Sequence, residues 1–79
     1  MYEYKTKGTC SKLVRFNIKD RKIHSVHFEG GCDGNLKALS ILIEGMDISL
    51  IVEKLKGNLC EYKNTSCADQ LARAVEQYL

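Results

Sequence analysis

The 79-residue chain contains no proline and no tryptophan, and none of its apolar runs approaches the roughly 18 residues of a membrane span. With 44% apolar and 28% charged residues, it does not have the composition of a disordered tail. Its amino terminus, MYEYKTKG, lacks the apolar core of a secretory signal. These absences predict a cytoplasmic protein with no membrane partner. Several motifs are missing as well. There is no CxxC pair, so spacing alone supports neither a ribbon-type zinc site nor a thioredoxin-like centre. The turn GGCDGN falls short of the GxGxxG of a dinucleotide loop, which leaves phosphate binding there weakly supported. No interleaving of aromatic and basic residues suggests single-stranded nucleic acid, and nucleic acid is not an expected partner. A chain this short buries only about 60% of its unfolded surface and cannot divide its core, so residues 1–79 are read as a single domain.

The charge is small but uneven. Residues 1–23 hold Lys5, Lys7, Lys12, Arg15, Lys19, Arg21 and Lys22 against Glu3 and Asp20, a balance of +5; with a total of +2, the remainder carries −3. A basic amino-terminal hairpin follows, read first as a solvated face and second as a dock for an acidic protein.

Hydrophobic periodicity divides the chain into a β half and a helical half. Val14, Phe16 and Ile18 alternate with mostly polar neighbours, and after the turn KDRK the alternation resumes at His24, Val26 and Phe28, which together predict an antiparallel hairpin. The segment YEYKT is a candidate third strand. On strand alternation, His24 and His27 fall on opposite faces and cannot share a site. Beyond Gly34 the period lengthens: Leu36, Leu39, Leu42, Ile43 and Met46 mark one helical face, with Gly45 ending or bending the helix. Asp47 is placed to cap a second helix bearing Ile48, Ile51, Val52 and Leu55, which Gly57 terminates. Ser66 and Asp69 have the spacing of a capping box opening a third helix, with Leu71, Val75, Tyr78 and Leu79 as its apolar stripe. Strands grouped before helices predict an α+β fold, a small antiparallel sheet of two or three strands covered on one face by three helices.

Cys10, Cys32, Cys60 and Cys67 all fall at element ends or turns, where loops at one end of a sheet can gather residues distant in sequence. The periodic faces are filled by Ile, Leu and Val, with no cysteine needed in the core. Cys32 precedes one predicted helix and Cys67 lies in the first turn of another, where free N–H groups and the helix dipole stabilise a thiolate. That placement suits a metal ligand or a redox thiol; unligated thiols are the plain alternative, and disulfides would need an oxidising compartment.

GGCDGNLKALSILIEGM, LKGNLC and TSCADQLARAV, in that order, resemble the TSCPD domain family, with Ala68 in place of the family proline. The family is found as small free-standing bacterial proteins and at the carboxyl end of cobalamin-dependent ribonucleotide reductases. The resemblance implies a link to deoxyribonucleotide synthesis, with a reductase as protein partner. A reductase needs a barrel that generates a thiyl radical and binds a nucleotide, more than 79 residues enclose, so an accessory role rather than catalysis in isolation is expected.

The order of cysteine, hairpin, Gly-Cys, helix and cysteine-led helix is also similar to the U-type iron–sulfur cluster scaffolds, which implies Cys10, Cys32 and Cys67 as thiolate ligands to zinc or an iron–sulfur cluster and a cluster-assembly component as partner. The scaffold aspartate is missing after Cys10, where Ser11 and Lys12 stand, and Cys60 is the candidate fourth ligand. The favoured function is a metal-binding or redox accessory module. A thiol oxidoreductase using Cys32 as nucleophile and a metal-free domain docking through the basic hairpin are the alternatives.

Overall fold

The structure is a computed structural model that describes residues 1–9, 11–31, 33–58 and 65–79. Three strands, β1 (Tyr2–Lys5), β2 (Ser11–Lys19) and β3 (Lys22–Gly30), form an antiparallel sheet in the order β1-β2-β3, followed by helices α1 (Asp33–Ile43), α2 (Ile48–Leu55) and α3 (Cys67–Glu76). The candidate third strand is therefore a real edge strand, and the fold is α+β as the element order predicts.

Alternation explains the sheet. Val14 and Phe16 on β2 and Val26 and Phe28 on β3 are buried on one face, where they meet Ile48, Ile51, Leu71 and Val75 from the helices. The hairpin turn uses positive φ at Asp20 (53°) and Arg21 (65°), the type I′ signature that matches the strands' right-handed twist. Asp47 caps α2 as expected, its Oδ1 accepting from the Ser49 N–H at 2.8 Å. The segment leading into α2 lies along the start of β3: Ile23 donates to the Met46 carbonyl, Gly45 to that of Ile23 and Ile48 to that of Arg21.

Two register shifts depart from simple alternation. Between Arg15↔His27 and Asn17↔His24, β3 takes one more residue than β2, and Ser25 adopts φ 57°. The extra residue makes Ile23, not His24, the core partner of Val26. It also sets His24 and His27 opposite Asn17 and Arg15, on the same outer face of the sheet, which corrects the expectation of opposite faces. The second shift lies between Ser11↔Gly30 and Leu13↔Glu29, where β2 holds the extra residue. Ser11 is thereby turned to the core side and is only 4% exposed, while Lys12 stays in solvent.

Helix α1 packs on β3 through Leu36 and Ile43. Leu42, expected on that face, is 76% exposed, because the buried line runs through Leu36, Leu39 and Ile43 and turns residue 42 outward. Helix α3 buries Leu71 and Val75 as predicted, with Ala72 and Ala74 beside them, and Tyr78 stacks against Tyr2 with ring centroids 4.5 Å apart.

Candidate functional site

The start of α3 is the most polar part of the interior. Ser66 is its N-cap: Oγ accepts the Asp69 N–H at 3.0 Å and donates to the Asn58 carbonyl in the turn after α2. Asp69 does not complete the expected reciprocal box. Its carboxylate, 0% exposed, accepts the Gly57 N–H at 2.7 Å, the Thr65 hydroxyl at 2.5 Å and Arg73 Nε at 2.9 Å. Burial on its own would raise the Asp69 pKa, but the Thr65 hydroxyl, the Gly57 N–H and Arg73 together outweigh it and hold the carboxyl below its ordinary value. Asp69 is thus a buried anion with its donors in place, tying α3 to the turn that ends α2.

The β1–β2 connection closes over the same point. Gln70, buried in the first turn of α3, accepts the Lys7 N–H at 3.1 Å and donates to Thr65 Oγ1 at 3.0 Å. Gly8 has φ 75°, and a Cβ there would meet Thr65 Cγ2 at 3.2 Å, so both the backbone conformation and the space favour glycine. Thr6 and Thr9 both donate hydroxyls to the Ser11 carbonyl.

Beneath this cover lies Cys67, 7% exposed, with Sγ 3.2 Å from Ser11 Oγ. It opens α3 as predicted, but it also packs in the core cluster with Leu71, Ala74 and Val75 at positions i+4, i+7 and i+8. The expectation that no cysteine serves the core is corrected for Cys67. Its stripe was legible at 67, 71, 74 and 75, yet alanine at 74 weakens that signal. Cys10, Cys32 and Cys60 lie outside the described residues. Their chain neighbours can be placed: Ser11 follows Cys10, and Gly30, paired with Ser11, begins the Gly30-Gly31 turn that precedes Cys32. Gly30 and Gly31 have φ 81° and 84°, values that glycine adopts freely.

Among the described residues, no group of three His, Cys, Asp or Glu side chains could hold a metal ion, and no buried side-chain nitrogen or oxygen lacks a hydrogen-bond partner. Thiolate is the right donor for zinc or an iron–sulfur cluster, but Cys67 alone cannot form the site, so the described residues leave the fit to Cys10, Cys32 and Cys60. A groove of about 450 Å³ opens between β3 and α1, lined by Phe28, Leu36, His27, Lys37 and Ser40 beside the Gly30-Gly31 turn.

Elsewhere the basic hairpin is partly neutralised. Arg15 lies 3.2 Å from Glu3 and 3.9 Å from Glu29, and Arg21 lies 4.0 Å from Asp47. His24 Nδ1 is 2.7 Å from Glu44 Oε2, and Glu44 Oε1 accepts the Ser25 N–H, which fastens the β3 bulge to the end of α1. The Ser25 N–H first and His24 second lower the Glu44 pKa. Among the described residues, no helix is long and apolar enough to cross a membrane.

Sequence reading singled out Ser66, Cys67 and Asp69, and Thr65 only as part of the family motif, but missed Ser11 and Gln70. Ser11 could not be found from alternation, because only the bulge turns it inward. Thr65 carried the signal of standing directly before a cap, where its hydroxyl can reach the first helical turn.

No curated protein and no solved structure matches this chain. The family model of the TSCPD domain matches residues 2–79. The motif around which this junction is built, Thr65-Ser66-Cys67-Ala68-Asp69, and the match over nearly the whole length agree: the chain belongs to the TSCPD domain family.

Proposed function

We propose that this protein is a cysteine-centred accessory module, binding zinc or an iron–sulfur cluster or cycling as a redox thiol, that works with a ribonucleotide reductase or a cluster-assembly component. The observation that carries this reading is the contact between Ser11 and Cys67. A β-bulge re-aims Ser11 onto the sulfur at the head of α3, and the residue before Ser11 is Cys10. Ser11 also pairs with Gly30, two residues before Cys32, so three of the four cysteines are tied by sequence to one junction. The remaining family residues are accounted for structurally: Thr65 and Asp69 clamp the turn after α2, and Ser66 caps α3. Cysteine chemistry is what the motif retains beyond folding. A bound metal would be held by Cys67 with Cys10 and Cys32, and by Cys60 as fourth ligand, and it would supply either a structural crosslink or an electron-transfer centre.

The test is elemental analysis with a UV–visible spectrum on protein purified anaerobically without chelators, beside Cys32→Ser and Cys60→Ser. About one zinc, or iron in cluster stoichiometry, per chain, lost in Cys32→Ser, is the expected result. Unchanged metal in Cys60→Ser removes that residue from the ligand set. A folded, metal-free wild type whose thiols alkylate no faster than ordinary thiols refutes both the metal and the redox forms.

A further inference from the structure

The two edges of the sheet are treated differently. Along the start of β3, residues 45–48 occupy the edge through the Gly45, Met46 and Ile48 backbone bonds, and Glu44 takes the Ser25 N–H. Along β1, no backbone group among the described residues pairs with the outer edge, and the strand has neither a bulge nor a proline to blunt it. The direction of its hydrogen bonds follows from one contact. Thr6 donates its N–H to the Lys12 carbonyl at 3.1 Å, so by alternation Tyr4 and Tyr2 also point their backbone groups at β2, while Glu3 and Lys5 point theirs outward. Lys7 gives its N–H to Gln70, which ends the open edge. Tyr2 and Tyr4 lie on the core side, opposite Phe16 and Val14; Glu3 and Lys5 lie on the outer side and are exposed.

An edge that carries Glu and Lys at alternate outward positions complements itself. We infer that β1 is the docking edge for a second copy of this chain, added antiparallel with Tyr4 on the two-fold axis, so that Glu3 and Lys5 exchange backbone hydrogen bonds with the partner's Lys5 and the partner's Glu3. The register is selected by charge. Centring the pair on Glu3 sets carboxylate against carboxylate, and centring it on Lys5 sets ammonium against ammonium, both unfavourable for directly opposed residues. Only the Tyr4-centred register sets both outward charges against their opposites. The exposed apolar surface of Tyr2 and Tyr78, in contact with each other, flanks the same strand. A short edge of this kind makes a small, reversible interface rather than an obligate one.

The experiment is sedimentation equilibrium on the full chain from about 10 μM to about 1 mM, with Glu3→Lys, Lys5→Glu and their equimolar mixture, and far-UV circular dichroism to confirm folding. Wild type is expected to self-associate within that range. Each single variant places like charges on both sides of the axis and is expected to dimerise at least about tenfold more weakly, while the mixture pairs an all-Lys edge with an all-Glu edge and recovers to within about threefold of wild type. Lys5→Glu leaves the Glu3–Arg15 pair untouched and separates the edge effect from that contact. A wild type that stays monomeric at the highest concentration, a dimer indifferent to both substitutions, or a mixture no stronger than its components overturns the inference.

Discussion

Replacing Asp69 by Ala tests whether the acidic position of the TSCAD motif is a clamp or a reactive group. The carboxylate is fully buried and accepts from Thr65, Gly57 and Arg73, so the substitution leaves the partly buried Thr65 hydroxyl and the Gly57 N–H without their acceptor. Hydrogen bonds to a charged acceptor contribute about 1.5–3 kcal/mol each, but not additively, and the exposed Arg73 end can turn to water. The expected loss is about 2–4 kcal/mol, against a total of about 4–12 kcal/mol for a chain of this size. Urea unfolding followed by circular dichroism would read it as a lower midpoint at an unchanged slope. Asp69→Asn, which keeps the shape and one acceptor, should lose less. The pH dependence gives an independent reading. The folded carboxyl lies below its ordinary value of 3.8, so the unfolded chain binds more protons in that region and stability rises with pH. Its contribution is complete above the unfolded value and disappears as the pH falls through the folded one, a slope that Asp69→Asn should flatten. A loss below about 1 kcal/mol in Asp69→Ala with an unaltered acid limb would show that the buried carboxylate is not what holds α3 to the turn.

The other expectations concern the cap, the turn and the sites where alternation failed. Ser66→Ala removes the N-cap acceptor and the bond to Asn58, and should cost about 1–2 kcal/mol by the same denaturation assay. Asp20→Asn with Arg21→Gly, at positions already holding φ 53° and 65°, should stabilise the hairpin by about 1 kcal/mol, seen as a higher melting temperature. Leu42→Gln should change stability by less than about 0.5 kcal/mol, whereas Ile43→Ala on the buried side should cost about 2 kcal/mol or more. Peptide-resolved alkylation should find Cys67 protected in the native protein and exposed in Asp69→Ala at low urea concentration, because its access depends on opening the junction.

What the sequence determined by itself was local. The alternation at Val14, Phe16 and Ile18 and the lengthened period from Leu36 onward are enforced by which side of a strand or helix is buried, and they predicted element type and order without knowledge of any partner. Asp47 and Ser66 were legible as caps because a cap bonds to a backbone N–H within three residues. The tertiary structure decided everything that depends on what lies opposite. Whether residue 42 or 43 faces β3 depends on how α1 is rotated against the sheet, and a pattern of apolar letters at both positions does not specify the rotation. The extra residues in β2 and β3 are set by cross-strand pairing, and each shifts every residue beyond it by one position, turning Ser11 inward and His24 outward to the face that His27 already occupies by alternation. The direction of the Asp69 carboxylate was decided by Gly57 and Thr65, which only the folded chain brings beside it. Cys67 could be placed at a helix start from sequence; that it is buried against Ser11, fifty-six positions away, required β2 and α3 to meet.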